Sequence, residues 1–169
     1  KIIYGTLLLL ALLSGKAFTA DSVNIGVTGN IVASPCIFNG GSNSLDVNLG
    51  NIQATNMATP GSTSDPVPFS LLFTQCPTGT KSVTVSFTGS PDPAAGADYF
   101  MNSGSATHVA IAMRDAQTGT LKGTGSGMTQ TIGADRTATM AMQASVKSVT
   151  GGVTPGSISA VVVMTMQYN

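Results

Sequence analysis

Few side chains in this sequence could do chemistry. His108 is the single histidine. A Ser–His–Asp mechanism would have to use it, and no G-x-S-x-G turn accompanies it. A copper or zinc site on a β scaffold needs several histidines. The seven acidic residues are scattered and build no calcium loop. Met140 and Met142, and Met164 and Met166, are spaced by two. That spacing offers paired thioethers, but it also puts both members on one face of a strand, where methionine fills a core. Residues 123–127 are glycine-rich, yet no lysine and helix follow to make a phosphate loop. The sequence therefore points away from an enzyme, with no catalytic residue, metal, cofactor or small-molecule substrate expected. Cys36 and Cys76 remain, too far apart for a C-x-x-C redox or zinc motif.

The compartment decides what two such cysteines do. Lys1 precedes an apolar run through residue 13, and residues 14–20 turn small and polar. This is the pattern of a secretory signal peptide over residues 1–20 and is short for a membrane span. Cleavage is expected after Ala20, or alternatively after Ala17. In an oxidising compartment one structural Cys36–Cys76 disulfide is the expectation, with two free thiols as the alternative. Only 8% of the residues are charged and the formal net charge is zero. Nucleic acid, which demands a basic surface, is thereby excluded as a partner, and so is a basic amphipathic membrane helix.

The elements that carry these residues read as strands. In residues 157–169, Ile158, Ala160, Val162, Met164, Met166 and Tyr168 share one parity and are all apolar, while Ser157, Ser159, Thr165 and Gln167 share the other with Val161 and Val163. Side chains alternate along a strand, so this predicts one long strand with a continuous apolar face, which needs a neighbour on each side. Residues 21–33 show the same pattern: Val23, Ile25, Val27, Gly29, Ile31 and Ala33 alternate with mostly polar residues up to Pro35. They predict either the first strand of a sheet or a detachable strand seeking a groove. Between them, alternation predicts strands over 44–49, 67–73, 82–87, 109–113 and 139–146. Pro/Gly-rich loops are expected over 58–66 and 89–97, a turn at 117–119 and a flexible stretch at 123–127. With 169 residues, one all-β sandwich domain follows.

Certain stretches carry a resemblance. These are Ile31-Val32-Ala33-Ser34-Pro35-Cys36, Cys76-Pro77-Thr78-Gly79-Thr80 with the strand after it, Val149-Thr150-Gly151-Gly152, and the penultimate Tyr168. Together they resemble the chaperone–usher pilins, most nearly the FimG/FimF-type minor subunits of type 1 fimbriae. The resemblance implies an incomplete immunoglobulin-like β-sandwich over 34–169 that lacks its last strand and is completed by donor-strand complementation. It implies a donor extension over 21–33, with Val23, Ile25, Val27, Gly29 and Ile31 as the inserted face. The acceptor groove and chaperone contact would comprise Ile158, Ala160, Val162, Met164, Met166, Tyr168 and the carboxylate of Asn169. The implied partners are a periplasmic chaperone, an outer-membrane usher and neighbouring pilins in a head-to-tail fibre on the bacterial surface. The expected role is a structural minor tip adaptor supporting cell adhesion. A major rod subunit is the first alternative. A carbohydrate-binding adhesin is the second, opposed by a pilin pattern that directly follows the signal with no lectin domain before it.

Overall fold

The computed structural model describes residues 21–169; the expected signal peptide lies outside them. Nine strands follow in chain order: β1 Ile37–Phe38, β2 Val67–Thr74, β3 Ser82–Gly89, β4 Pro91–Asp92, β5 Gly96–Met101, β6 Val109–Asp115, β7 Gly127–Thr131, β8 Ala138–Ser148 and β9 Val162–Tyr168. The only helical pieces among the described residues are short 3₁₀ turns at Asn39–Gly41 and Ala54–Met57. One sheet has the order β1-β2-β8-β6-β5-β4 and the other β7-β3-β9, with every pairing antiparallel. This is the all-β, two-sheet sandwich that the alternating runs predict.

The parity of each run sets its inner face. Leu71 and Phe73 on β2, Val83, Val85 and Phe87 on β3, and Met140 and Met142 on β8 meet in the main core. The methionine pair at 140 and 142 is thus core filler. A second cluster of Met57, Ala106, Val109 and Val146 closes one end of the sandwich. Cys36 and Cys76 are bonded and both buried, tying the chain just before β1 to the end of β2. A closed loop of this length contributes about 4 kcal/mol in the chain-entropy model.

Several expectations need correction. Residues 44–49 have no backbone pairing among the described residues, so they form no strand. The final run is a strand only over Val162–Tyr168, because residues 157–159 are held by side-chain and backbone bonds to the 102–106 loop instead of by a neighbouring strand. β4 lies and β5 begins inside the expected loop 89–97, and β7 begins at the last residue of the expected flexible stretch 123–127. The sequence stretches that carry the resemblance have local physical reasons. Gly79 (φ 97°) makes the turn in which the Thr80 amide donates to the Pro77 carbonyl at 3.2 Å. Gly151 and Gly152 both adopt left-handed backbone at the turn that follows β8, conformations that side chains rarely allow.

A candidate strand-accepting groove

β9 is an edge strand. It pairs with β3 alone, in the register Val83↔Tyr168, Phe87↔Met164 and Gly89↔Val162. Its alternation survives in the structure: Ile158, Ala160, Val162, Met164 and Tyr168 are half-buried, whereas Val161 and Val163 point outward, 78% and 59% exposed. Met166 shares the inner parity but is 40% exposed, so the strip is least covered there. Val162, Met164 and Tyr168 pack on the main core with Phe38, and Ile158 packs on the second cluster with Leu49 and Ile52. Phe73 joins the two flanks, its ring 5.3 Å from Phe38 and 6.5 Å from Tyr168. Residues 37–52 and 158–168 therefore flank the same two clusters from end to end.

Neither flank has its backbone satisfied on the facing side. β9 uses one edge on β3 and leaves the other open. From 45 to 52 the described bonds include one to a backbone amide, in which Gly50 N donates to Asn48 Oδ1 at 2.8 Å. Val47, Leu49 and Ile52 are half-buried between exposed neighbours. The result is an apolar strip bordered by unpaired donors and acceptors, which is the chemistry that accepts an added strand. At one end of the strip, burial raises the Tyr168 phenol above its ordinary pKa. Beyond it, the backbone oxygen of Asn169 accepts the amides of Lys81 and Ser82, fixing the end of β9 to β3.

Residues 21–33 show no secondary structure, and Val23, Ile25, Val27 and Ile31 are exposed. Val32–Asn169 form a compact unit of their own. Gly29 has no left-handed φ, and a Cβ built there meets nothing within 4 Å. His108 is exposed with φ 64°, its Nδ1 3.1 Å from the Gly152 carbonyl oxygen, and serves a loop contact. Sequence reasoning missed the 45–52 flank as part of this site. Its alternation was legible as a strand, but the absence of a partner strand was not.

The Fimbrial protein family matches residues 25–169. The chain belongs to that family, and within it to the chaperone–usher pilins. It is 33% identical to the protein FimG of Escherichia coli K12 over 164 residues, covering 95% of this chain and 93% of that protein. It is 34% identical to the S-fimbrial adhesin protein SfaS of E. coli O6:K15:H31 over 155 residues, 90% of each. The P pilus rod subunit PapA shares the fold with a TM-score of 0.66 at 23% identity, over 80% of this chain and all of that one. This pilin accordingly has the immunoglobulin-like fold of its family and is a structural fimbrial subunit, not an enzyme. It is a component of a surface fimbrium, where pilins polymerise with neighbouring subunits.

Proposed function

We propose that this pilin is a minor tip adaptor of a type 1-like fimbria that polymerises by donor-strand exchange. Residues 21–33 form the donor, inserting Val23, Ile25, Val27, Gly29 and Ile31 into the groove of the neighbouring subunit. Ile158, Ala160, Val162, Met164, Met166 and Tyr168 line the acceptor groove. Before assembly a periplasmic chaperone fills that groove and meets the end of β9 at Tyr168 and Asn169, and an outer-membrane usher receives the complex. The observation that carries this reading is the apolar strip between two unpaired backbone edges, together with a segment of matching period in the same chain whose apolar residues are exposed. Each Val or Ile buried in the strip would contribute about 1.5–3 kcal/mol. Donor and acceptor lie at different places on one subunit, so the contact is head-to-tail and builds an open filament.

The adaptor role, as opposed to the rod, is supported by the likeness to FimG along nearly the whole chain. Mass spectrometry of assembled fibres tests it. One or a few copies per fibre are expected, and an abundance matching the main shaft protein would favour the rod. The likeness to an S-fimbrial adhesin protein motivates one further reading, an adhesive subunit. A glycan-array screen of the purified subunit separates the two, with no binding expected of an adaptor.

A further inference from the structure

Asn39 is the one asparagine in the chain that a glycine follows. Asn24, Asn30 and Asn51 precede isoleucine, whose branched side chain crowds the next amide. Asn39 and Gly40 lie in the turn that leaves β1, both in left-handed backbone, with φ 43° and 68°. Gly40 is exposed, and a Cβ built on it meets nothing within 4 Å, so the turn has room to rearrange. The Asn39 carboxamide makes one described bond, from Nδ2 to the Ser44 carbonyl at 3.5 Å. Asn102 is held far more firmly. Its Nδ2 donates to the Ala106 carbonyl at 2.8 Å, and its Oδ1 accepts the amides of Gly104 and Ser159 at 3.0 and 2.8 Å. The two sides of the Asn39 turn also differ. Before it, Ile37 and Phe38 pair with Thr74 and Phe73, and Cys36 is bonded to Cys76. After it, residues 45–52 have no backbone partner among the described residues.

We propose that Asn39–Gly40 is a self-modification site, at which uncatalysed deamidation converts Asn39 to aspartate or isoaspartate and so alters the 45–52 flank of the groove. The Gly40 amide nitrogen attacks Asn39 Cγ and closes a succinimide ring, and Nδ2 leaves as ammonia. Water then opens the ring at one of its two carbonyls. Opening at Cγ restores the ordinary peptide bond and gives aspartate. Opening at the backbone carbonyl leaves Gly40 joined to Cγ and gives isoaspartate. The step consumes one water and needs no oxidant, metal or enzyme. Glycine at 40 favours it, because no side chain blocks the approach and the backbone is free to turn. Isoaspartate carries the main chain through Cβ and Cγ, lengthening it by one methylene. Cys36 and β1 pin the chain before the turn, so the added length falls on residues 45–52, where Val47, Leu49 and Ile52 are half-buried. Either product adds a carboxylate to a stretch, 37–52, whose one charged residue is Asp46. The effect on the flank rests on the reading of the groove as a strand acceptor; the chemistry at Asn39 does not.

The purified full chain is aged in neutral and in mildly alkaline buffer and mapped by peptide mass spectrometry, with isoaspartate read by isoaspartyl methyltransferase labelling. Asn39 should deamidate first, ahead of Asn43 and Asn102, which serine follows. It should react faster in the alkaline buffer, because the attacking amide must lose its proton. Asn39→Gln should remove the labelling at this site. An Asn39 that stays intact, or reacts no faster than Asn43, would overturn the inference. For the flank, the Kd of a peptide copying residues 21–33 is compared between the fresh chain, the isoaspartate form separated after ageing, and Asn39→Asp. All three carry Ile25→Thr and Val27→Thr so that their own segment does not compete; asparagine at 25 would make a second Asn–Gly pair with Gly26. The isoaspartate form should bind about fivefold more weakly than the fresh chain, and Asn39→Asp should lie between them. Amide protection of β3 and β8 should be the same in all three. Equal Kd values in the fresh and isoaspartate forms, or a weakening accompanied by loss of that protection, would overturn the effect on the flank. Failure of every form to bind would overturn the groove reading and the flank effect with it, while the mass map still decides the modification.

Discussion

Met164 is the position at which the groove can be tested most directly. It stands opposite Phe87 on β3, and its inner side packs on the main core while its other side is open to the groove. Complete burial of a methionine contributes about 1.5–3 kcal/mol. About half of that is realised in the unpartnered fold and the rest only when a strand lies beside β9. Met164→Ala should therefore cost about 1 kcal/mol of folding stability and about 1 kcal/mol of strand binding, the latter about fivefold in Kd. Val163→Thr is the control, since its side chain leaves the opposite face of the same strand. It should leave the affinity within about twofold. Chemical denaturation gives the first quantity and titration with a 21–33 peptide the second, both on the full chain with Ile25→Asn and Val27→Asn. Unchanged affinity in Met164→Ala, or an equal loss in Val163→Thr, would refute the assignment of the inner parity to the strand site.

Gly29→Leu should fold and accept a donor strand normally, since nothing in its own chain crowds a side chain there, but fail to donate its own, since a glycine inside a strand marks a close backbone approach that a side chain would block; a strand-exchange assay with purified subunits that finds unimpaired donation would place the glycine's role elsewhere. Replacing Cys36 and Cys76 by serine should lower stability by about 4 kcal/mol, read by denaturation against the oxidised parent, and a loss below about 1 kcal/mol would count against the loop-closure account. The Gln117 amide, followed by the hydroxyl and amide of Thr118, holds the Asp115 carboxyl below its ordinary value of 3.8. Its stabilisation is present above that value and is lost as the pH falls through the lower folded one. The group is solvent-exposed, so Asp115→Asn should flatten the acid side of the stability profile only slightly, and a large change there would point to a partner beyond that turn.

How far the sequence discloses this structure depends on where each strand finds its neighbours. β2, β3, β6 and β8 were legible because their inner positions are β-branched, aromatic or long apolar residues at period two, and all four face the core. β7 was not, since Gly127, Thr129, Gln130 and Thr131 leave Met128 as its single large apolar residue. β5 was hidden by a start in Gly96 and Ala97, and it pairs with β6 only at Phe100 and Met101. The inner parity of 158–168 could be read directly, as could the matching parity of 23–31. Periodicity assigns a face, though, not a partner. It could not tell that residues 44–49 lack one, nor that the serines and threonines at 154–159 would exchange hydrogen bonds with a loop some fifty residues earlier.

The way the molecule treats its sheet edges argues for what the open edge is for. Strand edges invite unwanted pairing, and proteins blunt them with short strands, proline and lysine. This chain does so at its other edges. β1 and β4 are two residues long, and β4 begins with Pro91. β7 has five residues, and Lys122 places its ammonium 3.0 Å from the Gly127 carbonyl oxygen. β9 has seven residues, and from 157 to 169 the chain carries no lysine, arginine or proline. Facing it, residues 45–52 also leave their amides and carbonyls without backbone partners among the described residues. A helix could cover the apolar strip between these flanks but would satisfy neither row of peptide groups. A single extended strand with apolar residues at every second position satisfies both rows and fills the strip. Protection at the other sheet edges among the described residues, and its lack here, is what the proposed strand-accepting role requires.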